Sequence, residues 1–284
     1  MNGLAALGGA IVRSSTQIGG GAIGKNLILA GLLVALLPAV AMAQNTFDGT
    51  WKIDLSTAQM PTKPFVWLLQ NGVYQCESCV PTIEVKADGQ DQHVTGQLYD
   101  TISVKVLDDN TVEEIEKKNG QTVSTEKFTV SHDGNTVTDE YPNGSKGNGE
   151  PVTTKVIMTR IAKGPVGSHA VSGSWRTLKM ENVADELLLI TFKVQGDSLE
   201  MSRPMGQSYS AKLDGTDALY KGDPHINGVS AKRISKNTIE ETDKHDGKVL
   251  SITRMTVASD GKTMIIISND VVAGEASRYT AQKQ

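Results

Sequence analysis

Aromatic side chains are scarce in this chain, with four Phe, three Trp and six Tyr among 284 residues. Basic residues are in no excess either, 28 Lys and Arg standing against 32 Asp and Glu. A nucleic-acid surface needs a basic stripe and stacking rings, so that class of partner is excluded. Cysteine is limited to Cys76 and Cys79, which rules out a scaffold held together by many disulfides. The five histidines, His93, His132, His169, His225 and His245, are scattered, and His132 and His245 sit beside turn residues. No Gly-x-Ser-x-Gly, His-Glu-x-x-His or Walker loop occurs, so the sequence offers no recognised catalytic constellation and calls for no cofactor and no metal.

What is present begins with an export signal. Residues 26–43 read NLILAGLLVALLPAVAMA behind Lys25, a charged flank followed by an apolar core and the small-x-small ending Ala41-Met42-Ala43. Cleavage there leaves Gln44 first, and Pro38 interrupts the apolar run that a retained anchor would need. Residues 1–43 are therefore expected to be an N-terminal extension and signal peptide. The remainder, with 26 basic and 32 acidic residues, is expected to be a soluble periplasmic or secreted chain without a membrane span.

The exported part repeats itself. Lys86-Ala87-Asp88-Gly89, Asn110-Thr111-Val112-Glu113-Glu114, Asn119-Gly120 and Thr129-Val130-Ser131-His132-Asp133-Gly134 recur as Lys212-Leu213-Asp214-Gly215, Asn237-Thr238-Ile239-Glu240-Glu241, Asp246-Gly247 and Thr256-Val257-Ala258-Ser259-Asp260-Gly261, at offsets of 126 to 127. Separate blocks that hold one offset mark a duplication. Phe47-Asp48-Gly49-Thr50-Trp51 likewise returns as Val171-Ser172-Gly173-Ser174-Trp175, at an offset of 124. Between the blocks run short alternating segments such as Trp51-Ile53-Leu55 and Ile102-Val104-Val106, separated by Asn-Gly and Asp-Gly pairs that supply the positive φ of hairpins. The reading is an all-β protein of two antiparallel up-and-down barrels of about eight strands each. They are expected at residues 47–161 and 171–284, joined by a linker at 162–170 containing Gly164-Pro165.

Gly49-Thr50-Trp51-Lys52 and Gly173-Ser174-Trp175-Arg176, with Arg160 and Arg278 on the closing strands, resemble the lipocalin and fatty-acid-binding-protein (calycin) superfamily. That resemblance implies that Trp51 with Arg160, and Trp175 with Arg278, close one end of each barrel. The Arg-x-Tyr carboxylate motif of the fatty-acid-binding proteins is not met, because Arg278 and Tyr279 are adjacent and point to opposite faces. The chain also resembles exported bacterial proteins that carry this double repeat.

Polar signals are few. Cys76-Glu77-Ser78-Cys79 fits a short disulfide in an oxidising compartment; a redox role needs a βαβ setting, and zinc needs ligands beyond His93. Glu113-Glu114 and Glu240-Glu241 are consecutive on strands, so each pair is split between two faces. Asp88-Gly89-Gln90-Asp91 and Asp214-Gly215-Thr216-Asp217 are turns short of calcium ligands. Along 249–257 one face carries Leu250, Ile252 and Arg254, and Lys127 holds the same place in the first repeat. Such a cation meets a ligand carboxylate if the face is internal, and solvent if it is external. The leading expectation is an exported binding protein for a small lipophilic or amphiphilic ligand, with Lys127, Leu250, Ile252 and Arg254 as binding residues. The alternative is an envelope structural or interaction module whose barrels are filled by their own side chains.

Overall fold

The computed structural model describes residues 45–145 and 151–284; the expected export signal lies outside them. Twenty strands and a single turn of helix follow one another along the described residues. They are β1 (Gly49–Gln59), β2 (Phe65–Gln70), β3 (Val73–Cys76), β4 (Ile83–Lys86), β5 (Gln92–His93), β6 (Thr101–Asp108), β7 (Thr111–Lys118), β8 (Gln121–Val130), β9 (Thr136–Ser145) and β10 (Pro151–Lys163). The second series is β11 (Gly173–Glu181), α1 (Asp185–Leu188), β12 (Leu189–Gln195), β13 (Ser198–Ser202), β14 (Ser208–Lys212), β15 (Asp214–Lys221), β16 (Gly228–Ser235), β17 (Thr238–His245), β18 (Lys248–Val257), β19 (Thr263–Asp270) and β20 (Glu275–Lys283). The all-β antiparallel architecture agrees with the alternating sequence pattern. Each sheet has ten strands instead of eight, because residues 65–93 and 189–221 break into more short hairpins than the pattern suggested.

The order of the strands is not the order of the repeats. β1 pairs with β12 and β20, and so completes a closed barrel made otherwise of β12 through β20, here barrel 2. β11 pairs with β2 and β10, and so completes the sheet of β2 through β10, here barrel 1. The two first strands are exchanged. Barrel 1 is thus built from residues 65–181 and barrel 2 from 189–283 together with 49–59, which corrects the contiguous units 47–161 and 171–284. Residues 162–170 do not join the barrels; they turn β10 into β11 within barrel 1, held by Gly164 N–H to Ser172 O at 3.2 Å and His169 N–H to Leu69 O at 2.8 Å.

Two physical reasons for the exchange are visible. The first strands are near-equivalent: Trp51 and Trp175 are both fully buried, and each indole N–H donates to the carbonyl four residues back, Phe47 O and Val171 O, at 2.8 Å. Gly49 and Gly173 share φ values of +122° and +127°. The connection from β1 to β2 carries Pro61 and Pro64, which bias themselves and the residues before them to extended backbone and away from a hairpin.

The closing cations are rearranged accordingly. Arg160 stacks 3.8 Å over Trp175, not Trp51, and its two terminal nitrogens donate at 2.7 Å to Ser172 O and Ala170 O. Trp51 is covered by Lys283 at 5.3 Å, while the exposed Arg278 pairs at the far end of β1 opposite Gln59. The expected pairs Trp51–Arg160 and Trp175–Arg278 are therefore replaced by Trp51–Lys283 and Trp175–Arg160. At Gly173 an added Cβ would lie 2.2 Å from Ala162 O, whereas at Gly247, also at positive φ, nothing lies within 4 Å. Gly173→Ala should accordingly lower stability by about 2–4 kcal/mol in denaturant titration, and Gly247→Ala by about 1 kcal/mol; equal losses would remove the steric account.

Candidate functional site in the barrel interiors

Barrel 1 is closed except at β4 and β5, the two edges of its sheet. Gln92 bridges that seam with its side chain: its amide N–H donates to Lys86 O at 2.7 Å, and its Oε1 accepts from Lys86 N–H at 2.8 Å. The equivalent seam of barrel 2 is also its thinnest, since β14 meets β15 only through Ser208 with Lys221 and Tyr209 with Tyr220.

Both interiors are largely apolar and carry a few enclosed acids. On β7 the alternation buries Val112, Glu114 and Glu116 on one face, and on β17 it buries Ile239 and Asp243 with Glu241 between them. Cross-strand register sets Glu114 opposite Glu126 and Glu116 opposite Ser124 in barrel 1, and Glu241 opposite Thr253 and Asp243 opposite Ser251 in barrel 2. On the other flank the neighbours offer no polar side chain: Val104 and Ile102 stand beside Glu114 and Glu116, Ala231 and Val229 beside Glu241 and Asp243. Burial, followed by the charges of Glu116 and Glu126, pushes the Glu114 carboxyl well above the usual carboxylate range. Burial and the charge of Glu241 do the same to Asp243, and burial raises Glu241.

Barrel 2 has a further feature. A cavity of about 30 Å³ lies among Arg203, Tyr220, Glu241, Asp243 and Tyr279, on walls that include Ile190, Phe192, Met201, Met255 and Ile266. The Tyr209 hydroxyl donates to Glu241 Oε2, and the Ser251 hydroxyl to Asp243 Oδ2 at 2.8 Å. Asp243 Oδ1 and the Tyr220 hydroxyl are buried without a hydrogen-bond partner. Two connections cover this end, 203–207 between β13 and β14 and 222–227 between β15 and β16. They touch at glycines: a Cβ on Gly222 would lie 2.5 Å from Gly206 O. Asp223, half-buried in the second connection, accepts from His225 N–H at 2.7 Å and Ile226 N–H at 3.1 Å, and desolvation raises its pKa to about 6.

The matching connection of barrel 1 is covalently pinned. Cys76 and Cys79 form a disulfide, both buried, as the spacing suggested. The loop after it docks through Pro81, whose carbonyl accepts from the Gln97 side chain at 2.6 Å. Ser78 stands there where barrel 2 has Arg203, since Cys76 and Met201 hold the same place in the register.

The binding residues expected from sequence lie elsewhere. Arg254 is exposed on the outer wall and pairs with Glu240 at 2.6 Å; Ile252 shares that wall, and Leu250 sits half-buried at a bulge in β18. Lys127 is also external, paired with Glu140 at 2.9 Å, and borders an open groove of about 850 Å³ together with Lys155, Asp185 and Glu186. The inner face of β18 is Ser251, Thr253, Met255 and Val257, so the cation-bearing face is the outer one and the carboxylate-capture role does not hold. The acids inside were missed. Their signal was the i, i+2 pairs Glu114/Glu116 and Glu241/Asp243 at one shared offset, which put two carboxylates on the same face where the adjacent pairs put one. Among the described residues no group of three or more His, Cys, Asp or Glu is placed to hold a metal ion. No protein-family model and no curated protein matches the chain.

Proposed function

We propose that the protein is an exported, lipocalin-like binding protein for a small amphiphilic molecule, and that barrel 2 is its binding barrel. The observation that carries this reading is the convergence of Arg203, Glu241, Asp243 and Tyr220 on one cavity in otherwise apolar walls. A few placed polar groups in an apolar enclosure with shifted carboxyl pKa values are the ordinary marks of a small-molecule site. The Gly-x-Trp strand with a cation over its indole supports the calycin kinship. A cavity of about 30 Å³ takes a head group and not an acyl chain, so a longer ligand enters only as the connections 203–207 and 222–227 part.

That small volume is also what favours the second reading, a structural or interaction module with self-filled barrels. Native mass spectrometry of protein purified from its own cells distinguishes the two. The binder reading expects an adduct that leaves on denaturation, and a ligand that stabilises by about 2.7 kcal/mol at a hundredfold excess over its Kd. A bare polypeptide mass, together with melting unchanged by any amphiphile, gives the module reading the lead.

A further inference from the structure

We propose that the Arg203 guanidinium is a built-in plug of barrel 2, and that the site beneath it takes the primary ammonium group of a small amine. The proposal rests on the binder reading above and adds the sign and shape of the head group. Two carboxylates, the half-buried Glu241 and the buried Asp243, face the cavity from alternate positions of β17. The flanking β16 presents only Val229 and Ala231 to them, and β18 presents the hydroxyls of Ser251 and Thr253. Arg203 is the single cation among the described residues that line the cavity, so two carboxylates meet one guanidinium, and the remaining charge is met by a proton held between the hydrogen-bonded Glu241 and Asp243 or, in its place, by a cationic ligand. Two acceptors remain open at the same place, Asp243 Oδ1 and the oxygen of Tyr220, which is only 5 % exposed.

The geometry selects among head groups. A carboxylate or phosphate entering here would confront two carboxylates at low dielectric. A quaternary ammonium is larger than a space of about 30 Å³, whereas a primary ammonium is close to a water in size and has three donors for Asp243, Tyr220 and Glu241. Arg203 occupies this environment from a connection that can yield. Its loop meets the neighbouring connection through Gly206 and Gly222, and no covalent link ties it down. Barrel 1, which has Ser78 in the place of Arg203 and a disulfide across its loop, is neither plugged nor free to open in the same way.

The test uses the full chain with butylammonium, butanol and butyrate at equal ionic strength, read by calorimetric titration and melting. Butylammonium should bind and raise Tm while butyrate does not, Arg203→Met should bind butylammonium at least tenfold more tightly, and Asp243→Asn should lose the preference for the amine. Equal binding of all three probes overturns the ammonium assignment and leaves the binder reading standing. No binding of any probe overturns both. Should Arg203→Met fail to fold, the selectivity of the unaltered chain and of Asp243→Asn still decides for or against the amine.

Discussion

Residues 182–284 produced alone should remain unfolded and should form barrel 2 when a synthetic peptide of residues 45–60 is added, while residues 65–181 should fold without help. The expectation follows from the exchange. Barrel 1 holds all ten of its strands within 65–181, whereas barrel 2 lacks β1 whenever the chain is cut after β11. The missing strand would expose the backbone edges of both β12 and β20 and remove Phe47, Trp51 and Ile53 from the core. Such a gap is a site for strand addition, in which backbone hydrogen bonds give affinity and alternate side chains give register. A Trp51→Ala peptide should complement more weakly by about 3–5 kcal/mol, the usual loss for a buried Trp. Circular dichroism and cooperative melting report the outcome; a folded 182–284 fragment without peptide would show that β1 is dispensable.

Glu114→Gln should stabilise the protein at pH 8 and flatten the dependence of its stability on pH. Glu114 is fully enclosed between Val104 and Glu126, with Glu116 two residues on and Tyr74 hydrogen-bonded to it, and its pKa is raised well above the value it has in an unfolded chain. A raised carboxyl pKa means that the folded state holds the proton more tightly. Its share of stability is present below the unfolded value near 4.5 and is lost as pH rises toward the folded value. Every tenfold by which the folded chain binds that proton more tightly than the unfolded chain corresponds to about 1.4 kcal/mol. Glutamine keeps the shape and a donor without the ionisation, so urea titrations at pH 5 and pH 8 should differ less for the variant than for the parent. A variant equally sensitive to pH would mean that Glu114 does not govern the titration.

The strands were legible because alternation and Asn-Gly or Asp-Gly turns are local, and the disulfide because two cysteines three residues apart have few alternatives. The exchange was not legible. Gly49-Thr50-Trp51 and Gly173-Ser174-Trp175 carry the same signal, and nothing within either strand says which nine-stranded sheet it will enter; that choice is made in the connections, by Pro61 and Pro64 and by the turn at 162–170. The site was half legible. Arg254 and Lys127 stand out as charges on semi-apolar faces, but the internal face of β18 is the one that buries Ser251, Met255 and Val257, while Arg254 and Ile252 lie on the outer wall. Sequence hydrophobicity did not separate the two faces because each interior carries a few acids among its apolar side chains. Those acids belong to the same alternation that defined the strands, and only the shared offset of the second member of each pair, Glu116 and Asp243, separates them from solvated surface charges.

A polypeptide is ordinarily as continuous as its covalent bonds, but in this one the two are uncoupled. A single protease cut between Glu181 and Leu189 severs the chain into two pieces of which neither can leave, since β1 of the first remains locked between β12 and β20 of the second. A cut between Gln59 and Phe65 frees an N-terminal piece that stays behind in barrel 2 while barrel 1 keeps its fold and its link to the rest through β11. Nicked molecules would therefore run as two bands in denaturing electrophoresis and as one particle in solution, and damage that would halve a pair of barrels on a string leaves this pair whole.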